Sequence, residues 1–299
     1  MRAPLSNNDV NEANEGPGGS SIMDQAAEPS TGLFADPSDR ADSTLPFYRE
    51  TNSELATFEH AWRNRLPLLI KGPTGCGKSR FVEHMAARLG RPLVTVACNE
   101  DTGATDLLGR HLLKGGETIW CDGPLTRAVR TGAILYLDEV AEARPDVLVS
   151  IHPLTDHRRT VYLDRLGEEI SAPPEFMLVA SYNPGYQNSL KELKPSTRQR
   201  FISIAFDFPE KDAEIEVIIK ESGVDPKLAE RLVKFAQKLR LADELGLSEA
   251  PSTRLLVNAG KLMKAGMPTR AACDTAVTQL LSDETELNQA MNDIASLIF

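Results

Sequence analysis

The run Gly72-Pro73-Thr74-Gly75-Cys76-Gly77-Lys78-Ser79 fits Gly-x-x-x-x-Gly-Lys-[Ser/Thr], and its flanks give that pattern physical meaning. Before it, Leu66-Pro67-Leu68-Leu69-Ile70 reads as a buried strand. After it, Phe81, Val82, Met85, Ala86 and Leu89 recur at helical spacing. A strand that enters a helix through a glycine-rich turn aims several backbone N–H groups, and the positive end of the helix dipole, at one spot. Such a spot binds an anionic phosphate chain. Glycine permits the positive φ and the close approach. Lys78 would reach the β- and γ-phosphates, and the Ser79 hydroxyl would meet Mg²⁺. Gly72 through Ser79, with Arg80 following, are the candidate nucleotide-binding residues.

That motif requires an α/β sheet, and the rest of the chain supplies one. From Leu45 to about Phe208, strand-like and helix-like stretches alternate, which implies a parallel sheet covered by helices. The expected strands are Leu66–Lys71, Leu93–Ala97, Ala133–Leu137, Phe176–Tyr182 and Ile202–Phe208, with helices near Arg80–Leu89, Leu125–Thr131 and Asp146–Leu154. Two insertions, His111–Cys121 around Gly115-Gly116 and Thr160–Ile170 around Gly167, read as β-hairpins. After Pro209 the pattern is helical throughout, punctuated by Gly223, Gly246 and Gly266 with Pro226, Pro251 and Pro268. The expected organisation is a leader over 1–44, an αβα domain over 45–209 and a small all-helical domain over 210–299. A chain of 299 residues has room for about two domains of ~100–200 residues each.

Charge separates the leader from the rest. The whole chain carries −10, of which −6 falls in residues 1–44, where eight Asp and Glu face only Arg2 and Arg40. Few large apolar groups accompany them, so the leader is expected to be disordered. An acidic chain argues against a general nucleic-acid binder. No stretch approaches the ~20 apolar residues of a membrane span and no signal peptide is evident, so a soluble cytoplasmic protein without a membrane partner is expected. Cys76, Cys98, Cys121 and Cys273 form no Cys-x-x-Cys pair, which suggests reduced thiols. Cys76 reads as a small loop residue, and a redox switch there is the less economical reading.

A second set of residues falls in order behind the loop. The strand Ile134-Leu135-Tyr136-Leu137 ends in Asp138-Glu139, and ligands bind at the carboxyl ends of parallel strands. Asp138 would hold Mg²⁺ with Ser79, and Glu139 would act as base toward the attacking water. The strand ending at Tyr182 is followed by Asn183-Pro184, whose amide would meet the γ-phosphate or the water. As an isolated feature Asn-Pro is simply a turn. Pro195-Ser196-Thr197-Arg198-Gln199-Arg200 presents two arginines before the last strand, which alone would read as a solvated surface helix. Arg254 starts a later helix, against the macrodipole, and a phosphate would offset that penalty. The histidines form no zinc-like set, and no Gly-x-Ser-x-Gly elbow supports Ser-His-Asp hydrolysis.

Taken together, these elements resemble an AAA+ ATPase, and more narrowly the MoxR-type group that includes CbbQ, NirQ and NorQ. The resemblance runs from about Leu66 to the C-terminus. Its carriers are the phosphate loop, Asp106-Leu107-Leu108-Gly109-Arg110, Trp120-Cys121-Asp122-Gly123-Pro124-Leu125-Thr126-Arg127-Ala128, Tyr136-Leu137-Asp138-Glu139 and Pro195-Ser196-Thr197-Arg198-Gln199-Arg200-Phe201. It implies a Rossmann-like αβα P-loop domain with two hairpin insertions and a helical lid, assembled as a homohexamer with ATP and Mg²⁺ between neighbours. It further implies Arg200, or else Arg198, as a finger completing the adjacent subunit's site, Arg254 as the lid arginine and Asn183 as the first sensor. The hairpin at His111–Cys121 then resembles the insertion that faces the ring pore. Within the group, the CbbQ-like resemblance implies a CbbO-like von Willebrand factor A partner and Rubisco as client, relieved of inhibitory sugar phosphates. Relatives like NorQ and NirQ imply maturation of nitric oxide reductase instead. The segment Cys98–Leu113 and the lid read most like CbbQ.

Three functions are thus open: a motor that hydrolyses ATP to remodel a protein, a nucleotide-gated binding module with little turnover, and a small-molecule kinase. The helical segment after Pro209 and the Arg198/Arg200 helix favour the motor.

Overall fold

The computed structural model describes residues 45–184, 193–242, 246–247 and 249–299. The acidic leader lies outside them. Helix α1 (Glu54–Arg63) leads into β1 (Leu68–Lys71), and the glycine-rich turn then opens α2 (Lys78–Arg88), from which the chain returns as β2 (Leu93–Ala97). Next come α3 (Ala104–Leu108), a hairpin of β3 (Gly109–Lys114) and β4 (Glu117–Asp122), α4 (Pro124–Thr131) and β5 (Ile134–Asp138). A 3₁₀ turn (Val140–Glu142), α5 (Pro145–Ile151) and a second 3₁₀ turn (His152–Leu154) precede the hairpin of β6 (Thr160–Leu163) and β7 (Glu168–Ser171). The α/β part closes with β8 (Met177–Tyr182), α6 (Pro195–Arg198) and β9 (Ile202–Ala205).

Five strands form one all-parallel sheet in the order β2-β5-β8-β1-β9. The central strands are apolar on both faces because both are covered. Leu68, Ile70, Ile134, Tyr136, Met177 and Val179 pack with Phe58, Phe81 and Met85 on one side. Their alternates Leu69, Leu135, Leu137, Leu178 and Ala180 pack with Leu125, Val129, Val147 and Ile151 on the other. This period-2 partition aims Tyr136, Asp138 and Ser181 at the α2 side of the sheet.

The remaining chain is helical: α7 (Lys211–Ser222), α8 (Pro226–Arg240), α9 (Thr253–Lys264), then α10 (Thr269–Cys273) running through a π-helical stretch (Asp274–Thr278) into α11 (Gln279–Leu281), and α12 (Thr285–Ser296). These helices bury a core of their own around Leu232, Phe235, Leu256, Val277 and Met291. The described residues nonetheless fall in a single compact unit, within which the chain passes from α/β to wholly helical structure after β9.

Three differences from the sequence expectations have physical causes. Leu66 and Pro67 are outside β1, because Leu66 N–H closes the turn after α1 onto Ala61 O and Arg65 takes a left-handed φ of 58°. β9 stops at Ala205, because its single neighbour β1 ends opposite it at Lys71. Helix α1 was not expected. Its first turn is set by Glu54, whose carboxylate accepts from the N–H groups of Thr51 and Asn52 at 2.7 and 2.8 Å and from the Tyr48 hydroxyl at 2.8 Å.

Candidate functional site

The glycine-rich loop joins β1 to α2, with Gly77 in a left-handed conformation immediately before the helix. Lys78 is buried, and its ammonium donates to the carbonyls of Gly72 and Pro73 at 2.9 and 2.8 Å. The lysine is therefore held across its own loop. Gly75 has a φ of 71°, and a Cβ there would lie 2.6 Å from the Ser252 side chain. Only glycine lets the loop and the first turn of α9 come this close. Cys76 is buried, and burial pushes its thiol up against the opposing pull of Lys78. A raised thiol carries little thiolate at neutral pH, which disfavours the redox role.

At the end of β5, Asp138 is gripped from three elements. Ser79 Oγ donates to Oδ2 at 3.0 Å, while the Tyr136 and Ser181 hydroxyls donate to Oδ1 at 2.7 and 2.5 Å. Burial, then the neighbouring Asp138 charge, raises the Tyr136 phenol, so Tyr136 remains a donor. Ser181 also accepts from the Glu139 N–H at 3.1 Å. Glu139 is exposed and left-handed, with φ 55° and ψ 46°, a conformation a non-glycine residue keeps only where its surroundings impose it. Ser79 and Asp138 bring two hard oxygens together beside the loop, a donor set that fits Mg²⁺, which takes one or two protein oxygens and completes its shell with water and phosphate.

These groups line one cavity of about 460 Å³ that contains Thr74 through Arg80, Asp138, Glu139 and Arg254. Asn183 does not line the cavity itself but donates from Nδ2 to Oγ1 of Thr74, which does, at 3.2 Å. Arg80 pairs with Glu83 on its own helix at 3.4 Å and with Glu221 of α7 at 3.2 Å. Phe47, Tyr48, Phe206, Pro209 and Val217 supply an apolar wall. Tyr48 stacks near Phe81, with centroids 5.2 Å apart, and Pro46 O meets His84 Nδ1 at 2.8 Å. This strap before α1, together with Tyr136 and Ser181, was missed in the sequence. Tyr136 and Ser181 carried a usable signal, Tyr136 lying two residues before Asp138 on the same face of β5 and Ser181 two residues before Asn183 near the end of β8.

Arg198 and Arg200 are not in this cavity. Arg200 pairs with Asp156 at 3.3 Å, and Asp156 also grips Arg158 at 2.7 Å. Arg198 is exposed at the end of α6. The two expected hairpins are formed, and Arg130 of α4 spans them, reaching Asp122 of β4 at 2.9 Å and Glu168 of β7 at 2.7 Å. Leu113 at the first hairpin's tip is 78% exposed. Among the described residues no helix is long and apolar enough to cross a membrane.

The parallel sheet, the phosphate loop and the acidic strand end define a P-loop AAA+ module. Residues 67–201 match the AAA domain of the dynein-related subfamily, and residues 214–298 match the CbbQ/NirQ/NorQ C-terminal domain. The fold is similar to a RuvB point mutant from Thermotoga maritima at a TM-score of 0.50, with 15% identity over 81% of this chain and 68% of that one. NtrX from Brucella abortus, in complex with ADP, also scores 0.50, with 16% identity over 83% of this chain and 64% of that one. NorQ of Paracoccus denitrificans is 59% identical over 85% of this chain and 94% of its own length. The denitrification regulatory protein NirQ of Pseudomonas aeruginosa is 56% identical over 84% and 97%, and CbbQ of Hydrogenophilus thermoluteolus 52% over 85% and 95%. The chain belongs to the CbbQ/NirQ/NorQ family of AAA+ ATPases. NorQ and NirQ stand as near to it as CbbQ does, so the similarity to CbbQ does not single out Rubisco.

Proposed function

We propose that this protein hydrolyses ATP and uses the cycle to remodel a protein client. The observation that carries the reading is the convergence of Lys78, Ser79, Asp138 and Glu139 on one cavity. Lys78 exchanges its two loop carbonyls for the β- and γ-phosphate oxygens. Ser79 and Asp138 would hold Mg²⁺, which would supply positive charge to neutralise the phosphates. Glu139, the exposed acid at the strand end, takes a proton from the attacking water and aligns it with the γ-phosphate. Asn183 hydrogen-bonds that water or the phosphate, and Arg254 adds positive charge from the lid side. The apolar strap and Phe206 take the base.

Arg200 acts in trans within a homohexamer, completing a neighbour's site, with Arg198 as the other candidate. Its place outside its own cavity supports this assignment, and an arginine supplied in this way is worth ~10³–10⁵ in rate. A von Willebrand factor A adaptor links the ring to the client. For the client, NorQ at 59% and two NirQ proteins at 56% and 51% bracket CbbQ at 52%, so identity does not rank the two readings, of which maturation of nitric oxide reductase is one, supported by the NorQ and NirQ relatives. Rubisco, as carboxysome-associated or free enzyme, is the second reading, supported by the CbbQ relative.

Phosphate release from ATP by the purified protein, with no acceptor added, tests the reaction. Release that vanishes in Glu139→Gln while ATP stays bound supports a motor. Tight binding without release supports a gated module, and ADP formed only with an added small-molecule acceptor, with the phosphoryl group on that acceptor and no inorganic phosphate released, supports a kinase. Capture from native cells of a nitric oxide reductase, or of Rubisco, decides the client.

A further inference from the structure

We propose that the buried Glu214–Arg240 pair is a positioning device that sets the first turn of α9, and with it Arg254, against the phosphate loop. Glu214 of α7 is wholly buried. Its two oxygens accept from Arg240 NH2 and NH1 at 2.7 and 2.8 Å, a bidentate pair. Oε1 also accepts from the Thr253 hydroxyl at 2.6 Å. Arg240 in turn donates from Nε and NH2 to the Pro251 carbonyl at 3.0 and 2.8 Å, and its guanidinium lies 4.2 Å from the centre of the Phe208 ring.

The pair thus holds both residues that bracket Ser252. Ser252 meets Gly75 of the phosphate loop, and Arg254, two residues on, also brings its Cβ to within 3.3 Å of where a Cβ on Gly75 would lie. Three helices and the segment joining β9 to α7 are fixed at the point where the lid touches the nucleotide cavity. A buried ion pair is weak grounds for stability, since apolar residues of similar volume often replace one without loss. Its directional bonds are suited to fixing a geometry instead. A misplacement of ~1 Å at a group that acts on the transition state can cost ~10² in rate, and the hydroxyl of Thr253 is the last link between the pair and Arg254.

The proposal rests on the reading of Arg254 as a cation of the nucleotide site, and steady-state ATP hydrolysis separates the two claims. Thr253→Val removes the hydroxyl while keeping shape. It is expected to lower kcat about tenfold, with KM changed less than about twofold and Tm lowered by the lost hydrogen bond to the buried carboxylate, whereas Thr253→Ser restores kcat. In an Arg254→Ala background the same valine is expected to cost nothing further, because the two residues act as one unit. Glu214→Gln should reproduce the kcat loss, and if it does not fold the Thr253 pair of variants decides. Wild-type kcat in Thr253→Val beside a loss in Arg254→Ala would overturn the positioning claim, as would losses that multiply in the double variant. Wild-type kcat in Arg254→Ala would instead overturn the reading of Arg254, and the proposal with it.

Discussion

Asp138 has its Oδ1 occupied by two hydroxyl donors and its Oδ2 turned to Ser79, so one carboxylate face is fixed and the other is directed at the phosphate loop. Ser181 is the shared link, because it also accepts the N–H of the left-handed Glu139. Ser181→Ala is therefore expected to lower stability by about 1–3 kcal/mol, the cost of leaving buried polar groups unpaired, and to reduce kcat by misaligning both acids. Denaturant unfolding and phosphate release check the two halves. Glu139→Gln keeps the size of the side chain and removes the base. Turnover should fall by about 10²–10⁴, with nucleotide affinity within a few fold by equilibrium titration. Glu54 gives a pH signature. Burial works to raise its carboxyl, but the Thr51 N–H, its own N–H, the Tyr48 hydroxyl and the Asn52 N–H outweigh it and hold the group below its ordinary value. A carboxylate depressed in the folded state stabilises above its unfolded pKa, and that contribution is lost as pH falls through the folded value. Thermal unfolding should thus show Glu54→Gln less stable than the parent at pH 7, with the two Tm values converging below about pH 4. A gap that persists in acid would contradict the assignment.

At the scale of elements, the hairpins are the features whose loss is expected to divide hydrolysis from its use. The β3–β4 ribbon exposes Leu112, Leu113 and Ile119 and contributes nothing to the nucleotide cavity. Deleting residues 112–119 should leave basal phosphate release near the parent rate and abolish client activation, and unchanged activation would remove the ribbon from the account. What was legible in the sequence follows the same division. Strands β1, β5 and β8 were visible because a two-sided buried strand is an apolar run, the edge strand β2 because Val94, Thr95 and Val96 are strand formers, and the hairpins because Gly115-Gly116 and Gly167 mark their turns. The loop and the acidic pair were readable because phosphate chemistry demands fixed residue types at fixed spacing. The strap at 45–52 and helix α1 were not, since a cap made by Glu54 and a ring contact between Tyr48 and Phe81 depend on partners about 6 and 33 positions away. Nor were the Asp156 tie on Arg200 and the Glu214–Arg240 clamp, which join residues distant in sequence without periodicity. The π-helical stretch at Asp274–Thr278 is of the same kind, stitched to α12 by Asn292 through Asp274 at 2.8 Å.

For the whole molecule, the proposed cycle requires one subunit's arginine to serve another's cavity. Arg200→Ala should bind ATP nearly as the parent does and lose most turnover. Mixed with Lys78→Ala subunits, it should recover part of it, because some interfaces then pair an intact loop with an intact finger. Full activity in Arg200→Ala alone would move the assignment to Arg198. The most direct measurement of the central claim is inorganic phosphate released from Mg²⁺-ATP by the full chain across a range of protein concentrations, beside Lys78→Ala and Glu139→Gln. The expected result is release whose rate per subunit rises with concentration toward a plateau and disappears in both variants. Protein that neither retains adenine nucleotide nor releases phosphate at any concentration would contradict it.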